Sequence, residues 1–215
     1  MSGDRSDVRS VAQPGPGPAA RGVDWAGRAA LAALGLAALT VAGGLAALGP
    51  YADVAALLAP RPPFEERPAA GVTEMAAVLQ RIGSAGIDMY LRQLRWDLLV
   101  VLANVGWLGI WLHGAAAHLL SARWRRVVAT AGALVPAAAD LVEDAALALA
   151  LTSYPALEPT TVAIAGLATQ VKLVTFGGAV VAAIGLSISW GVRRVRCLWR
   201  LWRSGELRRG AAAAR

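Results

Sequence analysis

Residues 136–147 read PAAADLVEDAAL, three carboxylates (Asp140, Glu143 and Asp144) within five positions of an otherwise apolar run. On a helix Glu143 lies one turn beyond Asp140 on the same face, and Asp144 stays beside both at i+4. A run of this kind reads as a membrane span. There each centrally placed ionised side chain costs at least ~2.5–3.5 kcal/mol to insert. How those acids are tolerated sets the expected fold and the expected site.

Composition supports the membrane reading. Of 215 residues, 57% are hydrophobic and only 16% are charged, and the mean hydropathy is positive. A soluble domain of that make-up has too little polar surface to stay dissolved. Four apolar runs, at about 26–48, 97–118, 127–152 and 161–190, can each cross ~30 Å of hydrocarbon at 1.5 Å per residue. The first is preceded by Pro- and Gly-rich sequence and is too long for a cleaved signal. The expected fold is all-α, a four-helix transmembrane bundle over 23–192. Residues 1–22 are polar and without period, so disorder is expected there.

Basic residues set the expected topology. Fifteen arginines lie in the N-terminal segment, the 119–126 loop and the tail, against five between the first two runs (Arg61, Arg67, Arg81, Arg92 and Arg95). Both termini are therefore expected in the cytoplasm, in a multi-pass protein of a bacterial inner (plasma) membrane. Trp25, Trp124 and Trp190 mark the inner interface and Trp96 the outer one. The long external segment opens with the proline-rich, irregular APRPPFEERPAAG (59–71). A short helix follows from near Thr73 to near Gly83. A second helix then carries Ile87, Tyr90, Leu91 and Leu94 on one stripe and runs into span two.

The tail, 193–215, is amphipathic. Val195, Leu198, Trp199 and Trp202 share one face, while Arg193, Arg196, Arg200 and Arg203 share another. It is expected to lie on anionic lipid, at ~1 kcal/mol per basic residue. The +7 net charge is thus a topology and lipid signal, and no nucleic-acid partner is expected. The lone Cys197 excludes an internal disulfide and a cysteine-clustered metal site. His113 and His118, five apart, share no helical face and read as interfacial. No metal and no cofactor is expected.

Lys172 is the only lysine among 21 basic residues. Counted along antiparallel spans joined by the short turn TSYPALEP, it reaches the same depth as Asp140. Three acids against one lysine leave charge uncompensated, to be met by protonation, a bound cation or water. Asp97 and Asn104, seven apart on span two, point the same way, and Thr169, Lys172 and Thr175 make a polar stripe on span four. The expected site is an outward-facing polar pocket in the outer half of the bundle, for protons, ions or a small ligand, lined by Asp97, Asn104, Asp140, Glu143, Asp144, Thr169 and Lys172. A buried Asp140–Lys172 pair that merely fixes helix register is the plainer alternative.

The motifs YLRQLRWDLL, DLVED, SYP and TQVK, within about 73–190, resemble a group of small four-helix bacterial membrane proteins. That group carries D-x-x-E-N in the third helix, a Tyr-Pro turn and T-x-x-K in the fourth. The resemblance implies the fold and the clustering of Asp97, Asp140, Glu143, Thr169 and Lys172, and no reaction. At Asp144 this chain has an acid where the group has an amide. Three functions stay open: proton- or cation-linked transport or binding, for which a homodimer would enclose more volume; a membrane enzyme shuttling a proton on a lipid-soluble substrate; and a structural or accessory subunit.

Overall fold

The computed structural model describes residues 34–37, 39–41, 43–44, 47–68 and 70–203. The expectations for 1–22, for Trp25 and for 204–215 lie outside them, as do the side chains of Cys197, Leu198 and Leu201. Among the described residues the chain is all-helical, without strands. Helix α1 is helical at each described position from 34 to 48. Then come α2 (Tyr51–Leu58), a single 3-10 turn (Phe64–Glu66), α3 (Val72–Ala116), α4 (Ala122–Ser153) and α5 (Pro159–Arg203). Two of these, α3 and α5, are long and apolar enough to cross a membrane. Helix α4 reaches 32 residues but concentrates Asp140, Glu143 and Asp144 in its second half.

The expected break at Gly83 is present. Its backbone sits at φ 64°, ψ −172°, a region that side chains forbid and glycine permits. Helical hydrogen bonding resumes on both sides, so the short helix and span two form one kinked element of 45 residues. The N-cap is Gly71, two residues before Thr73, where the sequence suggested it. Pro159 opens α5, where its fixed φ suits the first helical turn and its missing N–H leaves nothing unsatisfied. Helix α2 was not expected; its Val54 and Leu58, one turn apart, are both fully buried.

Helices α3, α4 and α5 pack together, α4 lying against both others and α3 meeting α5 less extensively. Two apolar cores result. One joins α2, Phe64, the first part of α3, the end of α4 and the start of α5, through Leu58, Leu79, Tyr90, Leu147 and Val162. The other joins Trp107, Leu108 and Leu112 of α3 to Ala129 of α4 and to Ala179 and Ala183 of α5. Helix α1 approaches this three-helix unit at Gly35, beside Ile110.

The tail is a finding against expectation. It is not a separate helix but the continuation of α5 to Arg203, because no breaker stronger than Gly191 separates it from span four. At 45 residues the helix is roughly 68 Å long, about twice the hydrocarbon thickness. Arg193, Arg196, Trp199, Arg200, Trp202 and Arg203 are all exposed. The Arg203 guanidinium stacks 4.1 Å from the Trp199 ring centroid, so the basic and aromatic faces touch at that end.

Candidate functional site

Between the two apolar cores lies a layer of ionisable groups. The Lys172 ammonium donates to Asp140 Oδ1 at 2.9 Å and is ion-paired with Glu143. The expected depth match between α4 and α5 is therefore present as a contact. Glu143 is fully buried, and its other oxygen accepts from the Thr169 hydroxyl. Asp144 is 5% exposed, and neither of its carboxylate oxygens has a hydrogen-bond partner. Asp97 of α3 completes the layer: one carboxylate oxygen from each of Asp97, Asp140 and Asp144 lies within 4.8 Å of the other two. The layer thus holds four carboxylates and one ammonium, with Asp140 and Glu143 paired to it.

A cavity of about 240 Å³ opens beside this layer, lined at one end by Asp97, Asn104, Asp140 and Lys172. The remaining wall is apolar, including Val101, Leu108, Pro136 and Phe176. Of the seven residues expected to line one pocket, four do so. Glu143, Asp144 and Thr169 are not in the lining; they are buried beside its polar end. The cavity extends toward the 117–121 turn, since Leu108 and Phe176 lie beyond the charges in that direction; the pocket was expected on the other side of the charges, toward the 49–96 segment. The opposite end is filled by the Leu58–Tyr90–Leu147 core. Asn104 Oδ1 accepts from Trp107 Nε1 at 2.8 Å, and Phe176 packs edge-on against the Trp107 ring. Pro136 has no N–H to offer the Gly132 carbonyl, so the α4 hydrogen-bond ladder is interrupted at the cavity wall.

No protein-family model, characterised protein or solved structure matches this chain.

The proline-rich loop supplies groups that the sequence did not single out. Its Pro68 carbonyl packs so closely on Gly166 that a methyl group there would run into it. The Tyr90 hydroxyl accepts from the Phe64 N–H at 2.8 Å and donates to Glu65. Arg67 stacks over Phe64 and pairs with Glu74 at 2.6 Å. Burial pushes the Glu65 carboxyl up to about 7; the Tyr90 and backbone hydrogen bonds and the Lys172 charge oppose the rise, and the Glu143 charge adds to it. Glu65 is thus electrostatically coupled to the buried layer from the loop side. Gln93, one turn before Asp97, is likewise buried with its amide oxygen unpartnered. The i,i+4 spacing of Gln93 and Asp97 was visible in the sequence; the approach of Glu65, in a segment without period, was not.

The raised Glu65 pKa has a defined consequence. A carboxyl bound to its proton more tightly in the folded chain stabilises the fold fully below its unfolded value, near 4.5, and ceases to do so as pH rises through about 7. Hydrogen exchange at the Phe64 amide, corrected for its intrinsic pH dependence, is expected to accelerate across that range. Glu65→Gln is expected to flatten the change. An amide equally protected on both sides of pH 7 in the wild type would contradict it.

His118 stacks on Trp190 at 5.5 Å between ring centroids, and neither histidine lines the cavity.

Proposed function

We propose that the chain is a four-span membrane protein, with both termini cytoplasmic, that binds and moves a small ligand or cation in exchange for protons at the carboxylate–lysine layer. The distribution of side chains supports the membrane setting. Glu143, Asp144, Gln93 and Thr169 are buried while Leu102, Leu149, Leu167, Val174 and Val181 are more than 60% exposed. A water-soluble protein places these classes the other way round. Helix α4 follows the same rule, turning Leu134, Leu141 and Val142 outward and its acids inward, which supports counting it as a span despite its charges. Helix α1 is the remaining span.

One observation carries the functional reading: four carboxylates cluster beside a cavity with a single ammonium, which pairs with only two of them. Fixing helix register needs one pair, and each additional buried carboxylate is a cost unless it serves exchange. The cavity is smaller than the ~300–1,000 Å³ typical of drug-sized sites, which favours a small solute. It removes support from an enzyme acting on a sterol or polyprenyl substrate.

The test is proton movement. Full-length protein is reconstituted in vesicles enclosing a pH-sensitive dye, and monovalent cations, divalent cations and small organic amines are added outside. At least one class is expected to drive proton efflux, and Asp140→Asn is expected to reduce that flux to the protein-free background. Flux and pH dependence left intact by Asp140→Asn would contradict the proposal.

A further inference from the structure

We propose that Asp97, Asp140 and Asp144 bind one divalent cation of the hard, oxygen-preferring class. This inference rests on the exchange reading above and names the ion. Its first support is geometric. Oxygens that ligate one calcium-like ion sit ~2.3–2.6 Å from it, so two of them can be at most about 5 Å apart. The three aspartate oxygens, contributed by α3 and by successive turns of α4, fall within 4.8 Å of one another. A point equidistant from three oxygens 4.8 Å apart lies about 2.8 Å from each, so side-chain adjustments of a few tenths of an ångström bring all three into bonding range of one ion.

The second support is independent of clustering. Asp144 is 5% exposed, and both of its oxygens are unpartnered. An uncompensated buried carboxylate costs several kcal/mol, and the one nearby ammonium is already held by Asp140 and Glu143. A cation is the ligand such a group lacks. The Gln93 amide oxygen, also buried and unpartnered, stands one turn from Asp97 on the same helix.

Donor chemistry narrows the ion. The cluster contains oxygen donors alone, with no histidine or cysteine, which suits Mn²⁺, Ca²⁺ or Mg²⁺ over Zn²⁺ or Cu²⁺. With Lys172 charged, the four ionised acids leave three negative charges, and a divalent ion removes two. Because ligating carboxylates must be deprotonated, binding releases protons and tightens as pH rises. That is the exchange the proposed function requires.

The experiment uses full-length protein in lipid nanodiscs and Mn²⁺, with free Mn²⁺ read by electron paramagnetic resonance. Saturable binding of one Mn²⁺ per chain, displaced by Ca²⁺, is expected. Asp97→Asn and Asp144→Asn are each expected to weaken it by about 10–100-fold or more, while Glu158→Gln, at an exposed position, leaves it unchanged. Should either variant fail to fold, the wild type is labelled with a hydrophobic carbodiimide, and Mn²⁺ is expected to protect Asp97 and Asp144. Equal binding in wild type and the Asp97→Asn/Asp144→Asn double variant, or labelling unaffected by Mn²⁺, would overturn the site. A wild type that binds neither Mn²⁺ nor Ca²⁺ but exchanges protons for another solute refutes the ion and keeps the transport proposal. Mn²⁺ binding with no proton movement in vesicles does the reverse.

Discussion

Lys172→Met is expected to destabilise the protein by about 3–5 kcal/mol, the usual cost of removing one member of a buried ion pair. The ammonium is the single cation among four carboxylates, and its loss leaves Asp140 and the fully buried Glu143 facing each other uncompensated. The measurement is thermal unfolding in detergent together with the monodisperse yield. Two companion variants separate charge from shape. Lys172→Met combined with Asp140→Asn and Glu143→Gln is expected to recover most of the stability, since neutral isosteres of a buried pair are often tolerated. Lys172→Arg keeps the charge but brings a planar fork to a site built for a compact ammonium, and is expected to fall between. A single Lys172→Met variant as stable as the wild type would show that the pair is solvated and the layer is not a buried one.

The second large effect concerns the cavity. Ala137 lines it, one turn before Asp140 on the same face of α4, and makes no polar contact. Ala137→Phe is expected to fill the space between the ionic end and Phe176 and to bring dye-reported exchange down to background. Its stability penalty is the ordinary one for overpacking, about 1–3 kcal/mol. Ala138→Phe, one residue on and exposed, adds the same bulk to the outer surface and is expected to leave exchange unchanged. If both variants behave alike, the cavity is not the ligand path.

Much of this arrangement was legible because helices have a fixed rise. A five-residue turn between α4 and α5 sets their register, so counting residues was enough to place Asp140 opposite Lys172, and the 2.9 Å contact follows. Helical spacing likewise put Asp97 and Asn104 on the cavity side of α3, and glycine chemistry put the break at Gly83. What periodicity does not encode stayed hidden. Glu65 belongs to a proline-rich segment whose path depends on Pro68 meeting Gly166, a contact between positions remote in sequence. The side of the layer on which the cavity lies depends on small residues at 133 and 137 opposite Val101 and Leu108, a matter of packing volume. The tail looked separate because its composition changes at Arg193, yet hydrogen bonding continues wherever no residue interrupts it. For α1 the many small side chains gave no stripe to assign a neighbour.

Because Lys172 is the only lysine in the chain, zero-length cross-linking tests the central claim with little ambiguity. A membrane-permeant carbodiimide applied to the protein in lipid vesicles joins an amine to a carboxylate only where the two touch. Mass spectrometry is expected to find an internal amide from Lys172 to Asp140 or Glu143, absent from the Asp140→Asn/Glu143→Gln variant. A Lys172 that stays unlinked and reacts freely with water-soluble amine reagents, or that joins an acid outside the layer, would contradict the account.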